Sequence, residues 1–194
     1  MEAFEHVVTV YLEAQGYVVS NNVKFFVRRQ TGRRAYPEFQ THGYDVDVVA
    51  ARQDQLLLGS VKSYFGSQGI TRGFFKGLAQ PGERTVYARA TIFNEPEVRN
   101  GVLREAKRVY GYPLGKMRLA LFVGKFGGGT HEGDIRTHLN RLRVGGGPVQ
   151  VFGVREIAES LVSLADRKTY LDDPVVMTLK MLRAAGYLLD PAAI

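Results

Sequence analysis

Apolar residues near the start of the chain are spaced first as in a helix and then as in a strand. Within residues 4–15 they fall on one stripe at about 100° per residue. The stripe consists of Phe4, Val7, Val8, Tyr11 and Leu12. Gly16 follows, at the position where glycine commonly ends a helix. Residues 17–29 are rich in β-branched and aromatic side chains, so the pattern predicts a helix and then one strand, or two short strands around Asn21 and Asn22.

Residues 42–64 predict two further strands joined by a polar turn. Successive side chains of a strand point to opposite faces, so Asp45 and Asp47 are expected to share one face of the first strand. The opposite face would carry Tyr44, Val46 and Val48. By the same rule, one face of the second strand would carry Leu58, Ser60 and Lys62. We therefore expect two carboxylates and a lysine to converge across this hairpin.

The rest of the chain alternates between helical and strand patterns. Residues 63–84 contain five glycines, which predicts a mobile loop or a short, broken helix. Residues 117–126 form the most apolar strand candidate and are expected inside the sheet. The other predicted elements are a strand over 84–93, a helix that Asn94 caps and that ends near Tyr110, a helix over 134–143, a strand over 149–154, and helices over 155–166 and 173–185, the last capped by Asp172 and Asp173. We assign residues 1–154 to an α/β core and residues 155–194 to a C-terminal helical extension packed on that core.

Composition narrows the functional classes. The chain has 194 residues, 45% of them apolar, which suffices for one packed domain with a small appendage. Its formal charge of +7 favours a polyanionic partner, with DNA as the leading candidate. The absence of cysteine excludes disulfides and thiolate zinc sites. No apolar run reaches membrane-spanning length and no secretory pattern opens the sequence, so we expect no membrane partner and a cytoplasmic location.

The predicted hairpin carries the side chains that phosphodiester cleavage requires. A cation binds the phosphate and activates water, and aspartate oxygens suit Mg²⁺. A lysine ammonium beside the metal orients or deprotonates the water and stabilises the developing charge. A surface hairpin with two solvated aspartates and a lysine is the alternative interpretation of the same residues.

This hairpin resembles the core of the PD-(D/E)xK nuclease superfamily, especially its Holliday-junction-resolvase-like, Mrr-like and restriction-endonuclease-like branches. Asp47 matches the first acidic position and Lys62 the final lysine. Ser60 stands thirteen residues after Asp47, where the family has Asp or Glu. Some restriction endonucleases of the superfamily also read Ser-Val-Lys and supply the acid from a following helix. That position falls near Lys76 here, so the nearest acidic substitutes are Asp45 and Glu83.

A second point of resemblance lies in the first helix. Resolvase-like nucleases carry a glutamate there, followed about eleven residues later by glycine and an aromatic residue. Glu5, Gly16 and Tyr17 match this layout. A glutamate that complements the dipole at the start of the helix is the alternative interpretation of Glu5.

The resemblance implies an α/β fold with a restriction-endonuclease-like αβββαβ core, a mixed central sheet and additional C-terminal helices. It also implies a DNA endonuclease that depends on Mg²⁺ or Mn²⁺. Asp47 would be the principal metal ligand, with the Val61 carbonyl and Asp45 as further ligands. Lys62 would activate water, Glu5 would assist, and Ser60 would occupy the acidic position. The alternative function is a catalytically degenerate module that binds nucleic acid or a protein partner; a homodimer is compatible with both.

Basic residues in two segments are candidate contacts to DNA. The first segment flanks a Thr-Gly turn ahead of the aspartate strand and contains Arg28, Arg29, Arg33 and Arg34. Arginine binds phosphate well, so binding is expected to weaken as salt rises, although a solvated loop has the same composition. Arg72 and Lys76 lie among four aromatic residues, which either stack on bases or belong to the core.

Overall fold

The computed structural model of the protein describes residues 2–30, 39–168 and 171–188. The helices are α1 (Ala3–Glu13), α2 (Thr91–Asn94), α3 (Pro96–Tyr110), α4 (His131–Arg141), α5 (Val154–Ala165) and α6 (Pro174–Ala184). The strands are β1 (Val18–Gln30), β2 (Phe39–Arg52), β3 (Gln55–Lys62), β4 (Met117–Val123), β5 (Arg143–Val144), β6 (Gly147–Pro148) and β7 (Gln150–Gly153). Short 3₁₀ turns occupy Arg72–Phe74, Tyr87–Ala90 and Leu114–Lys116. No helix in the described part of the chain is long and apolar enough to cross a membrane.

Five strands form a mixed sheet in the order β1-β2-β3-β4-β7. β1 is antiparallel to β2, and β2 is antiparallel to β3. β4 is parallel to β3, and β7 is parallel to β4. β5 and β6 form a separate two-stranded ribbon. The molecule is therefore a mixed α/β protein, as the alternating sequence pattern predicts.

The two faces of the sheet support two apolar clusters. In β4, Leu119 and Leu121 belong to one cluster, which includes buried residues of α3 and α4. Ala120 and Phe122 belong to the other, which includes buried residues of α1, α5 and α6. Successive side chains of a strand point to opposite faces, so these two clusters lie on opposite faces of the sheet. Helices therefore cover both faces. The C-terminal helices pack on the same face as α1.

Two predicted features in the middle of the chain are wrong. Residues 84–93 do not form a strand; they contain the 3₁₀ turn Tyr87–Ala90 and the start of α2. Asn94 does not cap α3, whose N-cap is Glu95. The Asn94 side chain instead donates to the carbonyls of Phe74 and Tyr87 and accepts from the Lys76 backbone N–H. These long-range bonds tie the loop after β3 to α2. The predicted cap on the last helix is confirmed at Asp173, which accepts from two backbone N–H groups of α6.

The β1–β2 pair extends well beyond β3. Its register runs from Val18 opposite Ala51 to Gln30 opposite Phe39, whereas β3 pairs only with the last five residues of β2. The far part of the pair is therefore a two-stranded arm. α3 covers one face of this arm, where Phe25 is 2% exposed, while Phe26 on the other face is 60% exposed.

The alternation of side chains along β2 breaks at Asp47. Val46 belongs to the apolar cluster that includes α3, and Val48 belongs to the cluster that includes α1. The prediction that these two valines share a face is therefore wrong. In the register, Asp47 falls opposite Asn22, which has a φ of 54°. A residue in this left-handed conformation interrupts the regular pleat of its strand. The break lies at the predicted active-site aspartate.

Gly101 sets the distance between α3 and the arm. A Cβ atom at this position would lie 2.2 Å from the Val27 Cγ1 atom. Glycine to alanine normally stabilises a helix by about 1 kcal/mol. Here we expect Gly101→Ala to lower the free energy of unfolding by about 1 to 3 kcal/mol, because overpacking outweighs propensity. Chemical denaturation would measure this change.

Two further variants test the cause of this loss. Gly133→Ala in α4 is a matched control, since a Cβ there has no heavy atom within 4 Å. It should gain about 0.5 to 1 kcal/mol. The double variant Gly101→Ala/Val27→Ala should lose less free energy of unfolding than the sum of the two single variants, because the smaller side chain at residue 27 makes room for the new methyl group. Additive effects of the two substitutions would contradict close packing at this point.

Candidate active site

Asp47 lies where β2 and β3 separate. The ladder between these strands ends at the Val48–Gly59 pair. Beyond it, the Asp47 Oδ2 atom accepts a hydrogen bond from the Val61 backbone N–H at 2.6 Å. The same oxygen accepts a hydrogen bond from the Ser60 hydroxyl at 3.0 Å. A carboxylate therefore continues the connection between strands after the backbone ladder stops.

Lys62 completes the group. Its Nζ atom lies 3.6 Å from Asp47 Oδ2, and the two side chains are 20% and 21% exposed. Each is therefore partly shielded from solvent yet still reachable by a ligand. Of the predicted convergence of Asp45, Asp47 and Lys62, the contact between Asp47 and Lys62 is present, and Ser60 joins it.

These three residues line one cavity of about 270 Å³. Its other walls come from the arm, from the segment around the 3₁₀ turn Tyr87–Ala90, and from α3. Asp45 and Gly59 also line it. The cavity thus opens at the edge between the arm and the end of β3, with one acidic and one basic group in contact within it.

The other predicted acidic residues are placed differently. Asp45 lines the cavity, but its side chain is 61% exposed and lies 3.5 Å from Lys24 Nζ on β1. Glu83 accepts from the Gln80 backbone N–H and pairs with Arg72. These contacts lower the pKa of Glu83 below its ordinary value, first through the Gln80 N–H and then through Arg72. Glu83 is therefore held as the anionic partner of Arg72.

Glu5 takes part in the start of α1. Its Oε2 atom accepts from the Glu2 backbone N–H at 3.0 Å, in a reciprocal capping box. No hydrogen bond or ion pair among the described residues joins Glu5 to Asp47, Ser60 or Lys62. The contacts observed at Glu5 are those of a residue that stabilises the first turn of a helix.

Oxygen donors at the cavity suit a hard divalent cation. Asp47 Oδ1 accepts no hydrogen bond from a described residue, so this oxygen has capacity to bind a ligand. The other predicted donors are Asp45, which lines the same cavity, and the carbonyl of Val61, whose N–H bonds Asp47. Within residues 2–30, 39–168 and 171–188, no group of three or more His, Cys, Asp or Glu is arranged to hold a metal ion. A cation here would depend mainly on Asp47, with water molecules among its other ligands.

The predicted DNA-binding arginines fall into two kinds. Arg28 is exposed on the open face of the arm, with its guanidinium 4.6 Å from the centre of the Phe39 ring. Arg29 faces α3 and pairs with Glu95 and Glu97. A hydrogen bond to Tyr44 raises the pKa of Arg29 further. Arg29 therefore anchors the arm to α3, while Arg28 is accessible.

The second predicted segment divides in the same way. Arg72 pairs with Glu83 and, at 3.1 Å, with Asp134 at the start of α4. Lys76 has an exposed side chain. Arg33 and Arg34 lie outside the described residues, so their predicted contacts to DNA remain predictions.

Arg89 is a candidate that the sequence did not single out. It is exposed and lines the same cavity as Asp47 and Lys62. The segment around Arg89 alternates apolar and polar residues, so its pattern predicts a strand and gives no sign that Arg89 reaches this cavity. Its two alanines, Ala88 and Ala90, are the local signal against a strand, since alanine is depleted there.

The comparisons with known proteins assign no family. No protein-family model matches the chain, and no curated protein matches it. Among solved structures, the crystal structure of a protein of unknown function, AF1548, matches with a TM-score of 0.37 and 13% identity. That match covers 95% of this chain and 77% of the other.

Proposed function

We propose that the chain is a metal-dependent nuclease that hydrolyses phosphodiester bonds of DNA in the Asp47 cavity. One observation carries this proposal: Asp47, Ser60, the Val61 backbone and Lys62 meet at the point where two strands diverge. The order of the first elements, one helix, three antiparallel strands, a helix and a parallel strand, is that expected of the PD-(D/E)xK core. The formal charge of +7 supports a polyanionic substrate.

Each residue of the group has a distinct part in the proposed reaction. The Val61 N–H and the Ser60 hydroxyl hold Asp47 Oδ2, which fixes the orientation of the carboxylate. Asp47 Oδ1 would then be the atom that holds a cation. The Lys62 ammonium, 3.6 Å from Asp47, aligns the attacking water and stabilises charge that develops on the phosphate. Arg89 at the cavity wall provides a further positive group for the phosphate backbone.

Mg²⁺ or Mn²⁺ would be held by Asp47, with Asp45 and the Val61 carbonyl as additional donors. When bound, the ion would polarise the phosphoryl group and lower the pKa of a water molecule. Serine in place of the acidic residue removes one negative charge from this site. We therefore expect weak metal binding and slow cleavage compared with a site that has both carboxylates.

A second function, DNA binding without cleavage, is favoured by a different observation. Asp47 Oδ2 is already occupied by two protein donors and lies near a third, Lys62. Asp47 is thus the single carboxylate in contact with Ser60 and Lys62 among the described residues. In this function Asp47 would mainly join β2 to β3, and Lys62 and Arg89 would bind phosphate.

Cleavage and metal binding in the same preparation separate the two functions. The nuclease is expected to nick supercoiled plasmid with Mg²⁺ or Mn²⁺, to stop in EDTA, and to bind Mn²⁺ in calorimetry. Lys62→Gln should remove the cleavage, whereas Lys107→Gln at the exposed end of α3 should retain it. DNA binding with neither cleavage nor Mn²⁺ uptake would instead support the binding module.

A further inference from the structure

A second cavity adjoins the Asp47 cavity on the side where β3 ends. It measures about 220 Å³ and shares Arg89 with the first cavity. The side chains relevant here are Tyr64, Ser67, Thr71, Arg84 and Arg89. Tyr64 follows Lys62 by two residues, so their Cα atoms are at most about 7 Å apart. The two cavities are therefore neighbouring compartments along one path over the surface.

No acidic residue in the described part of the chain pairs with the arginines of this second cavity. Arg84 and Arg89 are exposed, and neither forms an ion pair with a described residue. No described residue that lines the cavity carries a carboxylate. By contrast, Arg29, Arg72 and Arg136 each pair with two acidic residues. Two guanidinium groups at one small concavity therefore favour an anionic ligand.

Contacts between distant residues fix the walls of the cavity. The Val86 backbone N–H donates to the Gly73 carbonyl at 2.8 Å. A Cβ at Gly73 would lie 2.0 Å from the Arg84 carbonyl oxygen, so only glycine permits this approach. The Arg89 guanidinium lies 6.0 Å from the centre of the Tyr64 ring and donates to its hydroxyl at 3.4 Å. Tyr64 packs edge-on against Phe74 at 5.5 Å. These contacts fix the backbone from which the Arg84 and Arg89 side chains extend.

We propose that this cavity is a second phosphate subsite, which binds the backbone of the same DNA strand next to the bond in the Asp47 cavity. The inference rests on the proposed nuclease function and adds the substrate class, a polynucleotide strand that continues past Tyr64 toward Arg84. Arg89 lines both compartments, so it contacts the phosphate in the Asp47 cavity and the phosphate in the second cavity. A mononucleotide would fill the first compartment alone and would bind more weakly.

Fluorescence anisotropy with a labelled DNA duplex, measured in EDTA over a series of salt concentrations, tests the subsite. The double variant Arg84→Gln/Arg89→Gln should bind at least about fivefold more weakly, and the slope of log affinity against log salt should fall by about 1 to 2. The matched control is Lys116→Gln/Arg143→Gln. It removes the same charge from two exposed residues near the start of β4, at the opposite end of β3 and β4 from Lys62. This control should retain nearly wild-type affinity and slope.

The single variant Arg84→Gln should show part of the loss of the double variant, and it leaves the Arg89–Tyr64 contact in place. Equal effects of the double variant and its control would overturn the subsite, because they would show dependence on net charge alone. An unchanged salt slope would also overturn it. Failure of the proposed nuclease function is a separate result, since it would appear as missing metal-dependent cleavage by the wild type while this binding assay contains no metal.

Discussion

Asp47→Asn is expected to remove metal-dependent cleavage of DNA while the fold remains intact. An asparagine carbonyl can still accept hydrogen bonds from the Val61 N–H and the Ser60 hydroxyl, which now reach Asp47 Oδ2. What it cannot supply is the negative charge that holds a divalent cation. We expect the rate to fall at least about a hundredfold, equivalent to ~2.7 kcal/mol of lost transition-state stabilisation.

Asp47→Ala should differ from Asp47→Asn in stability. Alanine leaves the Val61 N–H and the Ser60 hydroxyl without their acceptor at a half-buried position. Loss of such a partner costs about 1 to 3 kcal/mol. Both variants should therefore lack cleavage, but only the alanine variant should show a clearly lower melting temperature.

Asp54→Asn provides the control for a carboxylate on the same hairpin. Asp54 lies in the turn between β2 and β3, where it pairs with Arg52 and is 68% exposed. Its replacement should leave cleavage unchanged. Cleavage that persists in purified Asp47→Asn, with the same metal dependence as the wild type, would place the active site elsewhere.

The sequence predicts the convergence at this site because its determinants are local. Asp47 and Lys62 belong to adjacent strands of one hairpin, and period-two alternation brings Ser60 and Lys62 to one face of β3. Residues 117–126 are predicted inside the sheet for a different local reason, their continuous apolar character, and β4 indeed lies between two strands. Such features need only nearest-neighbour geometry.

The break in β2 at Asp47 could not be read from alternation. It coincides with the left-handed conformation of Asn22, a residue of the neighbouring strand. A pattern along β2 contains no information about the backbone of β1. Val46 and Val48 therefore look equivalent in sequence although they pack on different faces of the sheet.

The division of arginines into paired and unpaired residues also depends on tertiary structure. Arg29 meets Glu95 and Glu97 more than sixty residues away, and Arg72 meets Asp134 at a similar separation. Composition identifies a basic chain, but it cannot tell which guanidinium groups already have acidic partners. Arg89 became a candidate only through its position beside the Asp47 cavity.

Ser60→Glu is expected to strengthen metal binding and to raise the cleavage rate. Ser60 is only partly buried, and its hydroxyl lies 3.0 Å from Asp47 Oδ2 at the cavity of about 270 Å³. A glutamate at this position would place a second carboxylate beside Asp47. Two carboxylates hold a divalent cation more tightly than one, because ligand charge is a main determinant of affinity.

The same substitution should destabilise the protein when metal is absent. Two neighbouring carboxylates repel each other, and one of them is then harder to ionise. In EDTA, the melting temperature of Ser60→Glu should therefore lie below that of the wild type. Saturating Mn²⁺ should reverse this order. Tenfold tighter binding adds about 1.4 kcal/mol of stability, or about 3 to 5 °C for a chain of this size.

Ser60→Gln separates charge from size. Glutamine has nearly the same shape as glutamate but adds no negative charge, so its melting temperature should respond to Mn²⁺ no more than that of the wild type. The difference between the Glu and Gln variants in Mn²⁺ then measures the effect of the restored carboxylate. If both variants respond equally to Mn²⁺ in melting and calorimetry, residue 60 does not face a metal site. A Ser60→Glu variant that binds Mn²⁺ tightly and still leaves DNA uncut would favour a protein that binds DNA without cleaving it.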